Sequence, residues 1–339
     1  MEEPFVLLGK SLDEIKAWAV ELGMPSYAAA QLYDWVYKKR ARSFGEMTNL
    51  SLRHRELLAA KATLGFSDPV GVAESSDGTR KYLFATASGT GVETVYIPDR
   101  DRATLCVSSQ VGCRMHCAFC MTGRMGFKAQ LQVHEILNQI LSVPGSTTLT
   151  NLVFMGMGEP CDNVDAVLRT IDILTSEKGF GWSPKRITLS SIGLLPGLKR
   201  VLDETSCHIA ISLHTPDLLQ RREWVPAEKA WPIRSTLDEL RHYDFSHQRR
   251  LSFEYVMFKG LNDGMESARA LRSLLSRLRC RVNLIRFHQI PDSPFLPAEP
   301  AQIQAFADYL NAKGLPTTIR ASRGEDIQAA CGLLSTLKK

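Results

Sequence analysis

From Arg102 to Phe287 short apolar strands alternate with amphipathic helices. ATLCVS is followed by LQVHEILNQIL and NLVFMG by VDAVLRTIDIL; RITLS, HIAISL, LSFEYVM and VNLIRF come after, with MESARALRSLLSRL between the last two. A strand that feeds a helix before the next strand pairs in parallel, because only a crossover returns the chain to the same end of the sheet. Six such strands predict a parallel sheet curled into a partial or full β/α barrel, with a flat doubly wound sheet as the alternative. The barrel is favoured because Cys113, Gly158, Ser190, Ser212 and His288 fall at or just beyond strand C-termini, where barrel enzymes carry their chemistry.

Two smaller units precede the barrel. SLDEIKAWAVELG offers Ser11 as a helix cap with Glu14 three residues on, and YAAAQLYDWVYKK repeats apolar residues at helical spacing, so the first 65 residues read as a helical unit. KYLFATA and GVETVYIP, separated by the turn-forming SGTG and preceded by SSDGT, predict hairpin strands over 66–101. The expected division is therefore 1–65 helical accessory domain, 66–101 β connector, and 102–339 barrel with a C-terminal segment. No apolar run is long enough to span a membrane, and MEEPFVLLGKSLDEIK has no signal-peptide layout, so a cytoplasmic address is expected. A net charge of +5 suits nucleic acid or plain solubility; local basic clusters at Lys38 to Arg42 and His247 to Arg250 say more, as RNA grips or as solvated faces.

In a reducing compartment eight cysteines are not a disulfide framework, and clustered thiols read as metal ligands or reactive groups. Cys113, Cys117 and Cys120 form CxxxCxxC in the loop after the first barrel strand. Structural zinc wants four ligands, and no second CxxC or HxxxH partner follows. Three thiolates on an iron-sulfur cluster leave one iron open to a ligand, which chemistry requires and plain electron carriage does not.

CxxxCxxC with Phe119 before its last cysteine resembles the signature of radical S-adenosylmethionine (SAM) enzymes. The resemblance implies a partial radical SAM barrel, (β/α)6 in type, a 4Fe-4S cluster on Cys113, Cys117 and Cys120, and SAM chelated at the open iron. FMGMGEP, ending in Gly158, Glu159 and Pro160, looks like the turn that holds the SAM amino group, and glycines there let the chain approach closely. With Cys106, VETVYIP around Glu93, SLH at Ser212, Leu213 and His214, GLNDG at Gly260 to Gly264, and RGEDIQAACG around Cys331, nearly the whole chain is similar to the RlmN/Cfr family of radical SAM adenine methyltransferases.

That resemblance implies C2 methylation of an adenosine in the peptidyl-transferase centre of 23S rRNA, and in many members of the adenosine beside the tRNA anticodon. It gives Cys331 the methyl to carry, Cys106 the attack that releases product and leaves a disulfide, and Glu93 the substrate proton. Ser190, Ser212, Leu213, His214 and His288 become SAM contacts, His288 departing from the asparagine common at its position. It also implies a flavodoxin-type electron donor and a monomer. Bland readings stand beside these: Cys331 as a small packing cysteine, Glu93 as an exposed edge charge, the polar strand ends as satisfied hydrogen bonders. Cys161, Cys207 and Cys280 match no motif and read as packing. Three rivals remain: C8 methylation of the same adenosine by the resistance-conferring branch, although CAFCMTGRMGF and FMGMGEP sit closer to the C2 enzymes; a radical SAM hydrogen abstractor acting on another substrate, with Cys106 and Cys331 idle; and a metal-stabilised RNA-binding protein without turnover. A flipped or single-stranded adenine, a positive mouth and salt-sensitive binding through the N-terminal helices are expected of an RNA substrate.

Overall fold

The computed structural model describes residues 4–247 and 249–335. The six expected strands are Arg102–Cys106, Asn151–Phe154, Ile187–Ser191, His208–Ser212, Leu251–Met257 and Arg281–Arg286, parallel and in chain order across one sheet. A seventh parallel strand, Thr317–Arg320, extends the edge beyond Arg281–Arg286. Its TTIR has too few apolar residues to signal a strand, and the helix Pro300–Ala312 before it delivers it there. The opposite edge continues as an antiparallel meander, Gly91–Asp99, Arg80–Ala85 and Gly71–Glu74, so the sheet is an open, partial barrel of ten strands.

Helices cover the outer face and bury their apolar stripes on it: Ile136, Leu137 and Ile140 from Val133–Leu141, Leu168 and Ile171 from Val164–Thr175, Leu198 and Val201 from Leu195–Glu204. Each such side chain leaves water at about 1.5–3 kcal/mol, the main force closing the barrel. No helix among the described residues is long and apolar enough to cross a membrane.

The N-terminal helices Leu12–Glu21, Ser26–Tyr37 and Leu52–Lys61 pack round Ile15, Leu32, Val36 and Leu58. The Ser11 cap forms with its reciprocal partner Glu14. The basic run behind them is largely spent on the protein itself. Lys38 pairs with Asp34, Lys39 lies over Trp35, Arg40 faces Phe180, and Arg42 donates to the Leu141 carbonyl and the Ser142 hydroxyl at 2.9 Å each. Arg42 therefore ties the helical unit to the C-terminus of a barrel helix, where carbonyls lack intrahelical partners. In the second run Gln248 lies outside the described residues, and Arg249 is buried near Cys207 at the N-terminal end of the strands. That end is remote from the strand C-termini.

After the last strand the chain crosses the barrel mouth as a strap. Asp326 accepts from Ser75 Oγ at 2.6 Å, Gly324 N–H donates to Asp77 at 3.1 Å, and Arg323 pairs with Asp99 at 3.2 Å, all on the meander side. Towards the barrel, Met121 N–H donates to Gly332 O and Thr122 Oγ1 to Leu334 O. The segment around Cys331 thus reaches the mouth because it is fastened on two sides.

Candidate active site

The loop after Arg102–Cys106 closes on itself. Gln110–Val111 pairs with Ala129–Gln130, Cys113 N–H donates to Gly126 O, and Gly112 has a φ of +73° with its missing Cβ only 1.8 Å from Gly126 O. Only glycine fits at 112, and the closed loop turns Cys113, Cys117 and Cys120 to one cavity together with Met115 and Phe119. Burial pushes the Cys113 thiol up to about 12 and Cys117 well above its usual value, each raised further by neighbouring thiols of the trio. Thiols so placed ionise against a cation and not against water.

The facing wall is built from the next strand ends. Gly158 has a φ of +97°, and a Cβ there would meet Gln110 Cβ at 2.5 Å and Gln110 N at 2.8 Å. Glu159 is buried; one carboxylate oxygen accepts from Cys161 N–H and the other from Ile192 N–H, each at 3.0 Å. Its carboxylate bolts two strand ends together, and burial still raises its pKa against those bonds. The Ser190 and Ser212 hydroxyls border the cavity 3.5 Å apart. His214 follows with a φ of +64°, held by Asn262, whose amide donates to the His214 and Val256 carbonyls at 2.7 Å each. The GLNDG turn thereby serves the SLH turn. His214 Nδ1 accepts from Val256 N–H at 3.2 Å, and burial drives its pKa to about 3, so the imidazole is neutral with its proton on Nε2. Leu213 is fully buried and contributes backbone.

Beneath these turns Arg221 is wholly buried. It pairs with Glu228 at 2.8 Å and donates to Ser212 O at 2.8 Å, Ile192 O at 2.9 Å and Leu213 O. One guanidinium therefore fixes the ends of two adjacent strands.

Cys331, Arg320, Met155 and Glu254 line the same cavity, and the Cys331 sulfur stands near Cys120. Arg320 Nη1 is 3.3 Å from Met155 Sδ and 3.6 Å from Glu254 Oε2, a buried oxygen with no hydrogen-bond partner. Cys106 is buried at the end of the first barrel strand, opposite Val95 and Val153. Burial pushes its thiol up to about 12, with the nearby Cys331 sulfur adding to the rise and Arg320 opposing it. The two unclustered thiols so meet about one guanidinium, Cys331 exposed and Cys106 buried. Glu93 lies behind them in the meander, 6% exposed, and is not among the residues that line this cavity. His288 lies apart from the SAM-site expectation: it faces a neighbouring hollow with Arg320 and Cys331, its Nε2 3.0 Å from Ser322 Oγ and its Nδ1 3.2 Å from Glu325.

Sequence reasoning missed Arg320, Glu254 and Arg221. A lone glutamate in the otherwise apolar LSFEYVM was a signal for the second, since a charge inside a fully buried strand must have a partner. Size would have misled: a hollow of about 690 Å³ between the helical unit and the connector, lined by Arg42, Phe66 and His134, holds no cysteine.

Residues 107–271 match the family described as the radical SAM superfamily, and residues 6–64 the ribosomal RNA large subunit methyltransferase N-terminal domain. The chain is 58% identical to a probable dual-specificity RNA methyltransferase RlmN of Phocaeicola vulgatus, covering 100% of this chain and 97% of that protein. It is 40% identical to the dual-specificity RNA methyltransferase RlmN of Nitratidesulfovibrio vulgaris, over 97% of this chain and 94% of that one. The chain belongs to the RlmN family of radical SAM RNA methyltransferases. A crystal structure of a radical SAM methyltransferase from Sphaerobacter thermophilus superposes with a TM-score of 0.93 at 38% identity, covering 98% of this chain and 100% of that one. The fold is accordingly the RlmN version of the radical SAM barrel, as the alternating strands implied.

RlmN membership brings SAM and an iron-sulfur cluster, and the residues fit both. The three thiols of the loop border the cavity, with Cys331 on the strap as a fourth. Three thiolates are the ligand set that leaves one iron of a cluster open. In the same cavity neutral His214, two serine hydroxyls and the Glu254 oxygen, which has no hydrogen-bond partner, offer donors and acceptors for a nucleoside. Alanine at Gly158 is expected to weaken SAM binding by about 10-fold or more, since backbone strain of about 1–3 kcal/mol falls on the cavity wall. Equilibrium dialysis with SAM on reconstituted protein reads it.

Proposed function

We propose that this protein methylates carbon 2 of an adenosine in the peptidyl-transferase centre of 23S rRNA, and of the adenosine beside the tRNA anticodon, through a methyl group carried on Cys331. The observation that carries the reading is two sets of sulfurs at one cavity: Cys113, Cys117 and Cys120 in the loop, and Cys331 on the strap beside Cys120, with Cys106 behind Cys331 at Arg320. When bound, a 4Fe-4S cluster on the trio would supply the electron that cleaves SAM to a 5′-deoxyadenosyl radical, which takes hydrogen from a methyl group.

The remaining work falls to side chains. Cys331, exposed at the mouth, takes a methyl from SAM as a carbon-sulfur bond forms to its thiolate and the sulfonium bond breaks. Its methylene carbon then bonds to the adenine carbon, joining protein and RNA. Once one electron has left the adduct, for which the cluster oxidised in SAM cleavage would be the acceptor, Glu93 accepts the ring proton. The Cys106 thiolate attacks the Cys331 sulfur, forming a disulfide as the sulfur-methylene bond breaks and its electron pair leaves with the RNA to be protonated. Arg320 favours both thiolates, and Gly158, Glu159, Ser190, Ser212 and His214 orient SAM from the facing wall. His288, turned to Ser322 and Glu325, steadies the strap.

We assign residues 1–65 to an RNA-gripping accessory domain, 66–101 to the connector with Glu93 and 102–339 to the barrel. Because the Lys38 to Arg42 cations are largely engaged within the chain, the exposed Arg286 at the cavity rim is a further phosphate contact. A flavodoxin-type donor, a monomeric state and a cytoplasmic location complete the reading. The test is an anaerobic reaction with SAM, reductant and a 23S rRNA fragment, followed by nucleoside mass spectrometry. 2-Methyladenosine is the expected product; 8-methyladenosine alone, or no product from protein carrying a reducible cluster, overturns the assignment.

A further inference from the structure

Lys81 lies on Arg80–Ala85 and Glu93 on its antiparallel neighbour, where Leu83 stands opposite Glu93. Residues 81 and 93 are thus diagonal neighbours on one face. Lys81 Nζ is 3.0 Å from Glu93 Oε1, and this pair is shielded, the side chains only 15% and 8% exposed. Both partners also hold the strap. Lys81 donates to the Gln328 carbonyl at 3.3 Å, and Glu93 Oε2 accepts from Ser335 N–H at 2.7 Å, so the two attachments flank Cys331.

We propose that Lys81 is a positioning residue of the methyl-transfer cycle: it keeps the Glu93 carboxylate ionised to receive the substrate proton, and with Glu93 it clasps the Cys331 segment until that proton arrives. The inference rests on the reading of Glu93 as proton acceptor. Burial raises the Glu93 pKa, and among the described residues the opposing influences are the Lys81 charge and the Lys81 and Ser335 hydrogen bonds. A carboxylate that has taken up a proton loses its ion pair with Lys81, and its bond from the Ser335 N–H falls to about half its strength. The strap then loosens at the step when the Cys331 sulfur must meet Cys106.

The sign follows directly. Glu93 acts as a base only when ionised, and Lys81 lowers its pKa, so removing Lys81 moves the acid limb of the proton-removal step to higher pH. In the full-length reconstituted protein, the covalent protein–RNA adduct is formed at low pH and its decay followed after jumps to a series of higher pH values. Lys81→Met is expected to shift the acid limb of decay up by about 1–3 pH units. Lys81→Arg restores the wild-type limb, and Glu93→Gln leaves the adduct standing at every pH. Without substrate, amide hydrogen exchange over residues 328–335 is expected to quicken in Lys81→Met and not in Lys81→Arg. A wild-type acid limb in Lys81→Met, with Glu93→Gln still blocked, overturns the role of Lys81 and leaves Glu93 as acceptor. Decay at the wild-type rate in Glu93→Gln overturns both, and unchanged exchange overturns the clasp.

Discussion

Alanine at Cys106 is expected to leave the protein covalently joined to its RNA, whereas alanine at Cys331 leaves it unable to accept a methyl group at all. The two outcomes differ because the two thiols occupy different surroundings. Cys331 is exposed beside the cavity and can meet SAM and substrate; Cys106 is buried in the strand behind it and can meet only Cys331. None of the three remaining cysteines outside the trio can substitute. Cys161 is buried beside Glu159, Cys207 is fully buried at the far end of the strands, Cys280 sits just before the strand Arg281–Arg286 at the end remote from the mouth, and none of these borders the cavity. Turnover is expected to fall about 10³-fold or more in either variant, as for other groups that act as a unit. Intact-protein mass spectrometry after SAM treatment reads the methyl, and denaturing gels of labelled RNA read the crosslink. Full turnover by either variant discards the thiol roles.

Methionine at Arg221 is expected to cost about 3–5 kcal/mol of stability, the usual consequence of leaving one member of a buried ion pair alone. Glu228 would stay buried with only the Ile233 N–H as its donor, and the carbonyls of Ile192, Ser212 and Leu213 would lose the guanidinium, Leu213 keeping the Thr215 N–H. Those carbonyls end the two strands that carry Ser190, Ser212 and His214, so SAM affinity falls with stability. Urea titration followed by circular dichroism gives the first, equilibrium dialysis with SAM the second. A double variant that also replaces Glu228 with leucine is expected to regain much of the stability and little of the SAM affinity, because it removes the stranded charge without restoring the strand ends. Recovery of both would mean that Arg221 matters only as half of an ion pair.

Much of the site was legible along the chain because its motifs are local. CxxxCxxC is one loop, FMGMGEP one strand exit and SLH one turn, and each carries its own geometry. The strand and helix periodicities were equally readable for the six expected strands, while TTIR was too short and polar to stand out. Partners distant in sequence were not readable. Arg320 and Met155 touch across 165 residues, Lys81 and Gln328 across 247, and the Ser335 amide and Glu93 across 242. The basic run at Lys38 to Arg42 misled for the same reason: its charges were plain, but the acceptors that engage Arg42, Leu141 and Ser142, come from another part of the fold.

By itself, then, the order of residues determined the barrel, the cysteine trio and the family, since hydrophobic period and motif spacing act between near neighbours. Only the tertiary structure decided that Cys106 is hidden and Cys331 presented, that Glu159 bolts the wall of its cavity, and that Lys81 and Glu93 clasp the strap. Burial and hydrogen-bond partnership come from chain closure, which brings together groups that no local pattern connects.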